Sequence, residues 1–399
     1  MIETAMLFDL DRLARQGVVK YPRKRALFST LANEQGRHLT GVLGPRGAGK
    51  TVLLKQLALA TADSLYVAVD TVGETDLFEL ARELQEKHAI KLLLLDEVHG
   101  QSSYPQMLKK IYDFLSVRVV FTSSVALSLS ETAADLSRRV KLVKLFPFSF
   151  REYVTFKTGD ELPPLTLADI VERRWQPAHL RHEALFDPYL RGGLMPFALE
   201  ETAILPLLRN IVQKVVAADI PAVARLMVDE LPLIQKCLAF IGRAAVEGVN
   251  YSTLSRNVGI TKYKAEAYVR LLEQAFILNP VFPIGTNVLR EPKILMSLPY
   301  RLLYSGPETA LGGLREDFFA EAMRMNELPF DYLKSTRGAK TPDFCIHTGN
   351  TELVVEIGGR SKGRHQFKGF EVAKSLIFTH SLDTDGLRRP LLLLGFLGT

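Results

Sequence analysis

The sequence predicts an α/β protein whose core is a mostly parallel sheet covered by helices. Five short apolar runs alternate with amphipathic stretches of helical length. The runs cover residues 39–43, 65–69, 91–95, 117–121 and 140–145. Strands that alternate with helices need crossover connections, and these favour parallel pairing with helices on both faces of the sheet.

The composition is that of an ordinary globular protein. Hydrophobic residues make up 47% and charged residues 24% of the 399 positions, which excludes a disordered chain, a collagen-like repeat and a small disulfide-stapled scaffold. No apolar run has the roughly 20 residues of a membrane span, and the acidic start of the chain does not resemble a secretory signal. Cys237 and Cys345 are far apart, so we expect reduced thiols, a cytoplasmic location and no membrane partner.

Changes of pattern along the chain predict five segments. Residues 1–38 form a helical lead-in, and residues 39–150 form the sheet core. Prolines then end the strand pattern, and long helical stretches predict a helical lid over residues 151–240. Residues 241–305 predict a small helix-turn-helix module with an extended flank, and residues 306–399 return to an α/β pattern, with strands that include an apolar run near the end of the chain.

The strongest motif lies between the first strand and the first core helix. It consists of Gly44, Pro45, Arg46, Gly47, Ala48, Gly49, Lys50 and Thr51. These residues fit the phosphate-loop pattern G-x-x-x-x-G-K-[ST] in the strand–loop–helix context that it requires. Glycines let backbone N–H groups turn toward a phosphate, and the helix N-terminus adds its dipole. We expect Lys50 to reach the β- and γ-phosphates of ATP and Thr51 to ligate Mg²⁺; the alternative is a glycine-rich turn that binds nothing.

Two acids, Asp96 and Glu97, end the third predicted strand. In a chain that has a phosphate loop, Asp96 is expected to hold Mg²⁺ through water, and Glu97 is expected to act as the general base for an attacking water. The pair favours hydrolysis over simple nucleotide binding. The alternative for a strand-end Asp is capping of the next helix.

Polar and basic residues follow the next two strands. Ser123 ends the fourth strand, where its hydroxyl either contacts the γ-phosphate or the water, or serves an ordinary turn. Arg138 and Arg139 precede the fifth strand. One interpretation is an arginine finger for a neighbouring subunit of a homo-oligomer, and the other is a solvated pair of surface charges.

The order of these motifs resembles a group of prokaryotic AAA+-like P-loop ATPases. The resemblance is carried by GPRGAGKT, LLLLDEVH, VVFTSS, SRRV and LFPFSFREYV, and by the turn YLRGGLMP at residues 189–196. It implies ATP binding and slow hydrolysis with Mg²⁺. It also implies that the core is followed by a helical region, a winged helix and a restriction-endonuclease-like tail. The resemblance implies no particular biological role.

The helix-turn-helix lies at residues 251–277. Gly259 makes the turn, Ser252 or Thr253 caps the first helix, and Thr261 caps the second. The second helix carries three cations, Lys262, Lys264 and Arg270. Contact with DNA phosphates is one interpretation of this module, and packing inside a multidomain ATPase is the other.

A second basic stretch covers residues 360–368, with four cations and no acid. It is either a contact for a nucleic-acid backbone or a solvated loop. The formal net charge of +6 and the pI near 9.1 permit an anionic partner without requiring one.

The tail contains Asp343, which opens a strand, and Glu356, which lies in the next one. This arrangement resembles the restriction-endonuclease-like core, where an Asp and a Glu on adjacent strands hold Mg²⁺. That core also has a lysine two residues after the Glu, where this chain has Gly358. Two interpretations stay open: an inactive nuclease-like fold used for binding, and a nuclease whose basic residue has moved to Arg360 or Lys362. Since unpaired buried acids are costly, both carboxylates should be exposed, paired or metal-bound.

Two functions of different classes follow from the sequence. The first is an ATP-hydrolysing machine that acts on nucleic acid. The second is a nucleotide-controlled binding protein with little turnover. A small-molecule kinase is disfavoured, because the long chain after the core exceeds one typical domain.

Overall fold

The computed structural model describes residues 4–101, 103–124, 136, 138–224, 226–244, 248–285, 291–333, 341–349, 351–359, 367 and 375–398. The chain divides into two compact units, Met1–Pro147 and Phe148–Thr399. Apart from Phe367, the basic stretch at 360–368 lies outside the described residues, and so do Arg360 and Lys362. No helix within the described ranges has both the length and the apolar character needed to cross a membrane.

The first unit is built on five parallel strands, as the sequence predicts. The strand order is β2-β3-β4-β1-β5. The strands are β1 (Leu39–Leu43), β2 (Ser64–Ala68), β3 (Leu92–Asp96), β4 (Arg118–Ser123) and β5 (Val140–Lys144). The described helices are α1 (Thr4–Val18), α2 (Ala26–Asn33), α3 (Lys50–Ala60), α4 (Leu77–His88) and α5 (Tyr104–Phe114). The predicted runs differ from these strands by no more than two residues at either end.

The strand order brings three loops to one edge of the sheet. Strand β4 lies between β1 and β3, and every residue of β1 and β3 is buried. Such continuous apolar burial is typical of central parallel strands covered on both faces. The chain leaves β1, β3 and β4 at the same carboxyl edge, where open α/β sheets bind ligands.

The predicted lead-in packs onto the sheet core through buried polar contacts. Asp11 of α1 accepts a hydrogen bond from the backbone N–H of Tyr66 at 2.9 Å, and it pairs with Arg15 at 2.6 Å. Arg15 in turn donates to the carbonyl of Ser64 at 2.7 Å. Helix α1 is therefore fastened to the outer strand β2, and residues 4–38 belong to the same compact unit as the sheet.

The second unit combines helices with two sheets. Its helices are α6 (Phe150–Thr158), α7 (Leu167–Val171), α8 (Phe186–Pro188), α9 (Ile204–Lys214), α10 (Ile220–Val223), α11 (Glu230–Arg243), α12 (Tyr251–Val258), α13 (Lys262–Gln274) and α14 (Pro307–Met325). Strands β6 (Leu278–Val281) and β7 (Lys293–Met296) form an antiparallel pair. The larger sheet has the order β12-β11-β10-β9-β8. Its strands are β8 (Phe330–Tyr332), β9 (Phe344–Thr348), β10 (Thr351–Gly358), β11 (Ser375–Thr379) and β12 (Arg388–Pro390).

The helix-turn-helix is present, with one cap different from the prediction. Gly259 ends α12 at φ 76°, and Thr261 caps α13 by accepting from the N–H of Lys264. The cap of α12 is Asn250, which accepts from the N–H of Thr253 at 2.8 Å. The prediction of Ser252 or Thr253 was wrong by two or three positions, because an Asn side chain can cap a helix equally well.

The last apolar run is a helix and not the predicted strand. Residues Leu391–Phe396 form a 3₁₀ helix in which every residue is buried. A Cβ on Gly395 would lie 2.3 Å from the Cβ of Phe150, so the run packs closely against α6. A short apolar run that is buried on all sides has no period that separates a strand from a helix.

Candidate functional site

The phosphate loop has the backbone that the motif requires. Gly47 and Gly49 adopt left-handed conformations with φ 81° and φ 92°, which favour glycine. At Gly44, a Cβ would come within 2.1 Å of the Leu145 carbonyl oxygen, so a side chain there would displace the backbone that directly follows β5. Helix α3 begins directly at Lys50. The loop is therefore a turn that opens onto a helix N-terminus, which is an anion-binding geometry.

Lys50 is the buried cation of this loop. Its side chain is only 4% exposed. The ammonium donates to the carbonyl oxygens of Gly44 at 2.7 Å and Pro45 at 3.0 Å, both in the same loop. These bonds hold the charge against the loop, where a triphosphate would meet it. Thr51 follows in the first turn of α3 and is half-buried.

Arg25 supports the loop, and the sequence analysis did not identify it. Its guanidinium donates to the carbonyls of Ala48 at 3.0 Å, Phe146 at 2.7 Å and Pro147 at 3.2 Å. It thereby joins the loop to the segment after β5. Gln56 of α3 also binds this part of the lead-in, through the carbonyls of Tyr21 and Arg23. In the sequence, Arg25 is marked only by its place in the basic cluster at residues 23–25, and that cluster does not indicate which residues Arg25 contacts.

Asp96 lies at the end of β3 and is 3% exposed. The hydroxyl of Tyr66 donates to its Oδ2 at 2.8 Å, and the hydroxyl of Thr122 donates to its Oδ1. Burial and the charge of Asp96 raise the pKa of Tyr66, so the phenol remains a hydrogen-bond donor. Both carboxylate oxygens are thus oriented. Together with the Thr51 hydroxyl, they offer the oxygen ligands that Mg²⁺ prefers, so the residues present fit that ion.

Glu97 has a left-handed backbone, with φ 55° and ψ 48°. This conformation is uncommon for a residue other than glycine and costs roughly 1–3 kcal/mol, and it is concentrated at functional sites. The N–H of Glu97 donates to the hydroxyl of Thr122 at 2.9 Å. Its Oε2 accepts from the hydroxyl of Ser124 at 3.1 Å and lies 3.2 Å from Nδ1 of His99.

The hydroxyl groups at the end of β4 contact the side chains of both acids. Thr122 binds Asp96, and Ser124 binds Glu97. The predicted residue Ser123 is fully buried, and its hydroxyl lies 3.5 Å from Nδ1 of His99. His99 and Ser124 were not among the predicted site residues, although they lie within the motifs LLLLDEVH and VVFTSS. Side-chain directions at the ends of two neighbouring strands were needed to place them beside Glu97.

The two predicted finger candidates have different environments. Arg139 forms a two-bonded ion pair with Asp113 of its own chain, at 2.9 and 3.1 Å, and this partner lowers the pKa of Asp113. Its guanidinium also lies 5.9 Å from the ring of Tyr112. Arg138 is exposed. The geometry thus favours Arg138 over Arg139 as a residue that could reach another subunit.

Two of the predicted cations of the helix-turn-helix form ion pairs within the chain. Lys262 pairs with Glu291, and Lys264 pairs with Glu230 at 3.0 Å. Arg270 is exposed on the same helix. Of the three predicted cations, the two lysines therefore have acidic partners in the same chain.

The tail has an acidic cluster with a lysine that the sequence analysis did not predict. Lys293 of β7 pairs with Glu316 of α14, and both side chains are largely buried. Burial alone would lower the pKa of Lys293, but the charges of Glu316, Asp343 and Glu356 raise it. Asp343 accepts from the N–H of Ile357 at 2.8 Å, and Glu356 is 1% exposed. A cation thus lies among these acids although position 358 is glycine.

Family comparisons match two parts of the chain. Residues 36–154 match the family model described as "AAA domain". Residues 183–297 match a model described as "Domain of unknown function (DUF8612)". The first match contains the phosphate loop, Asp96, Glu97 and both arginines.

Two relatives are similar over much of their length. The chain is 25% identical to the uncharacterized protein MJ1637 of Methanocaldococcus jannaschii, over 95% of this chain and 86% of that one. It is 24% identical to an uncharacterized protein of Haemophilus influenzae, over 59% of this chain and 60% of that one.

Solved structures match the chain with low scores. The ORC1 protein of Aeropyrum pernix in complex with DNA has a TM-score of 0.29 at 12% identity, over 78% of this chain and 93% of that one. The RuvB branch migration motor of Thermotoga maritima has a TM-score of 0.28 at 18% identity, over 70% and 90%. At these scores the likenesses support no conclusion about this chain. The match to the AAA domain model and the observed parallel sheet together show an AAA-type P-loop core in residues 36–154.

Proposed function

We propose that the protein is an AAA+-like ATPase that hydrolyses ATP with Mg²⁺ in the first unit. The observation that carries the proposal is the arrangement of one carboxyl edge of the sheet. The phosphate loop follows β1, the Asp96–Glu97 pair lies at the end of β3, and the hydroxyls of Thr122 and Ser124 lie at the end of β4, the strand between β1 and β3. A binding-only loop would need no base beside the Mg²⁺ ligand.

The residues divide the work of phosphoryl transfer to water. Lys50 and the loop amides bind the β- and γ-phosphates, and Thr51 with Asp96 would hold Mg²⁺, which neutralises phosphate charge when bound. Glu97 takes the proton of the attacking water as the new bond to the γ-phosphorus forms and the bond to ADP breaks. Ser124 and His99 fix the direction of the Glu97 carboxylate, so they are positioning residues.

The direct test measures phosphate release by the full chain with ATP and Mg²⁺, with and without DNA. We expect slow turnover that requires Mg²⁺. Binding of ATP with no phosphate release above a blank would reject hydrolysis and leave the nucleotide-controlled binding protein. An effect of DNA on the rate would support action on nucleic acid through the module at residues 241–305, which we propose to be a winged helix.

Arg138 provides a test of assembly. If it enters a neighbouring active site, Arg138→Ala should reduce turnover at least tenfold while ATP binding is retained, because the finger acts on charge that develops in the transition state. Mixing Arg138→Ala subunits with Glu97→Gln subunits should then restore part of the activity, since each supplies what the other lacks.

The matched control for Arg138 is Arg139→Ala, which removes a cation already paired with Asp113. This variant alone should turn over ATP like wild type; low turnover that mixing with Glu97→Gln subunits restores would instead identify Arg139, and not Arg138, as the finger. Equal turnover for wild type and Arg138→Ala would remove Arg138 from the mechanism.

A second candidate function concerns the tail, and Lys293 is the observation that favours it. Restriction-endonuclease-like sites combine an Asp, a Glu and a lysine, and Lys293 supplies the cation among Glu316, Asp343 and Glu356. We propose that this cluster hydrolyses phosphodiesters with Mg²⁺. The competing interpretation is a structural ion cluster in an inactive fold, since buried charges need partners in either case.

Cleavage of DNA by the full chain distinguishes these interpretations. We expect Mg²⁺-dependent cutting by wild type and by Lys50→Met, and a loss of roughly 10²–10³-fold in Asp343→Asn. No cutting by wild type would reject the nuclease. A lower stability of Lys293→Met, by about 3–5 kcal/mol, would then identify a structural cluster, because Glu316 would be left as a buried charge without its partner.

A further inference from the structure

A group of metal-ligand side chains lies at the hairpin end of β9 and β10, and the proposed ATPase does not use it. Sγ of Cys345 and one ligand atom each of His347 and Glu352 lie within 4.8 Å of one another. Strand pairing explains the convergence. Glu352 faces His347 across the β9–β10 ladder, and Asp331 faces Cys345 across the β8–β9 ladder.

The group lies on one face of the sheet, away from the apolar core under α14. Phe344 and Ile346 are fully buried, and Phe344 stacks on Phe319 of α14 at 4.7 Å. Side chains alternate along a strand, so Cys345 and His347 point to the opposite face. The cluster therefore lies on the face of the sheet opposite to α14, with Cys345 buried and paired across the ladder with Val354.

The hydrogen bond of His347 orients the ring as in protein metal sites. Nε2 lies 2.9 Å from Oδ2 of Asp331, which assigns the ring proton to Nε2. The other ring nitrogen, Nδ1, lies 3.7 Å from Oε1 of Glu352. Two electron-rich atoms facing each other at that distance repel, unless a proton or a cation lies between them. A carboxylate on the far nitrogen is the usual arrangement around a metal-binding histidine.

We propose that Cys345, His347 and Glu352 bind one Zn²⁺ ion, with Asp331 orienting the histidine and water in the fourth position. Thiolate sulfur, imidazole nitrogen and carboxylate oxygen are the ligands of Zn²⁺, at about 2.0–2.3 Å each. Neighbouring ligands around such an ion lie about 3.3–3.8 Å apart, so the observed spacing needs only small side-chain movements. Sulfur disfavours Mg²⁺, which keeps this site distinct from the phosphate loop.

Cys345 adds a measurable consequence. A free cysteine has a pKa of about 8.5, so a thiol is mostly protonated at neutral pH in the absence of metal. Because Zn²⁺ binds the thiolate, uptake should release a proton into the buffer. A purely ionic cluster of His347 with two acids would neither involve the thiol nor release that proton.

Titration with Co²⁺ as a spectroscopic substitute for Zn²⁺ tests the site on the full chain. We expect one equivalent to bind, with a sulfur-to-metal charge-transfer band and the visible bands of tetrahedral cobalt, and we expect Zn²⁺ to displace it. Cys345→Ser should remove the charge-transfer band. Asp331→Asn should weaken binding roughly 10–100-fold, as is usual for a lost orienting partner.

Two controls make the outcome specific. Cys237→Ala removes the other cysteine, which is buried in α11, and Lys50→Met alters the phosphate loop; both should bind Co²⁺ like wild type. No stoichiometric binding by wild type, or an unchanged band in Cys345→Ser, overturns the proposal. If Cys345→Ser does not fold, Glu352→Gln replaces it: this side chain is 62% exposed, and unchanged affinity in that variant would also reject the site.

Discussion

Replacement of Lys50 by methionine is expected to abolish turnover and to weaken ATP binding strongly. The Lys50 ammonium is buried against the loop and donates to the carbonyl oxygens of Gly44 at 2.7 Å and Pro45 at 3.0 Å. A positive charge that is already in position, in a site without water, stabilises the developing negative charge of the transition state most strongly. Removal of one such group typically costs on the order of 10²–10³-fold in kcat. Phosphate release and calorimetric binding of ATP would measure the two losses.

Lys55→Met is the matched control for Lys50→Met. Lys55 lies on the same helix α3, one turn further from the loop, with its ammonium 5.3 Å from the ring of Tyr66. Methionine keeps the hydrocarbon stem of either lysine, so thermal unfolding of both variants should stay close to wild type. If Lys50→Met binds and hydrolyses ATP as Lys55→Met does, the phosphate loop is not a nucleotide site.

The parallel core could be predicted because local and global signals agree there. The four runs between residues 39 and 121 are largely apolar, and each is followed by a helix signal or a loop motif, whereas the edge run 140–145 contains Lys141 and Lys144. Central parallel strands have this pattern because both of their faces are buried. The phosphate loop and the acids of β3 also follow from spacing, since each depends only on residues next to one another in the chain.

Contacts between distant residues could not be predicted. Arg25 reaches the carbonyls of Ala48 and Phe146, residues far from it in the sequence. Lys293 lies on β7, which is not part of the larger sheet, and it pairs with Glu316 of α14. A sequence does not show where the long side chain of a lysine or an arginine ends. The sequence pattern therefore predicted an acidic site without a lysine, because position 358 is glycine. In the structure, a lysine from another strand lies among these acids.

Apolar runs that are buried on every side were also ambiguous. Residues 391–396 predicted a strand and form a 3₁₀ helix. In this segment, tertiary packing decided between conformations that local propensity left nearly equal.

Glu97→Gln is expected to separate ATP binding from hydrolysis. Glutamine keeps the shape of the side chain and an oxygen that accepts from Ser124, but it does not take a proton from water. General-base catalysis by a positioned carboxylate typically contributes 10²–10⁴-fold, so phosphate release should fall by about that factor. The affinity for ATP should remain within a few-fold of wild type, since Lys50, Thr51 and Asp96 are unchanged.

The comparison with His99→Ala sharpens the role of Glu97. His99 lies 3.2 Å from the Glu97 carboxylate, so its loss should lower kcat by a smaller factor and leave the KM for ATP nearly constant. The double variant should be no slower than Glu97→Gln, because a positioning residue acts only through the base. Glu74→Gln, at an exposed position of the same unit, should behave like wild type. Equal hydrolysis by wild type and Glu97→Gln would show that the Glu97 carboxylate is not the base of the reaction. The proposed hydrolytic mechanism would then fail, while nucleotide binding through Lys50 would still stand.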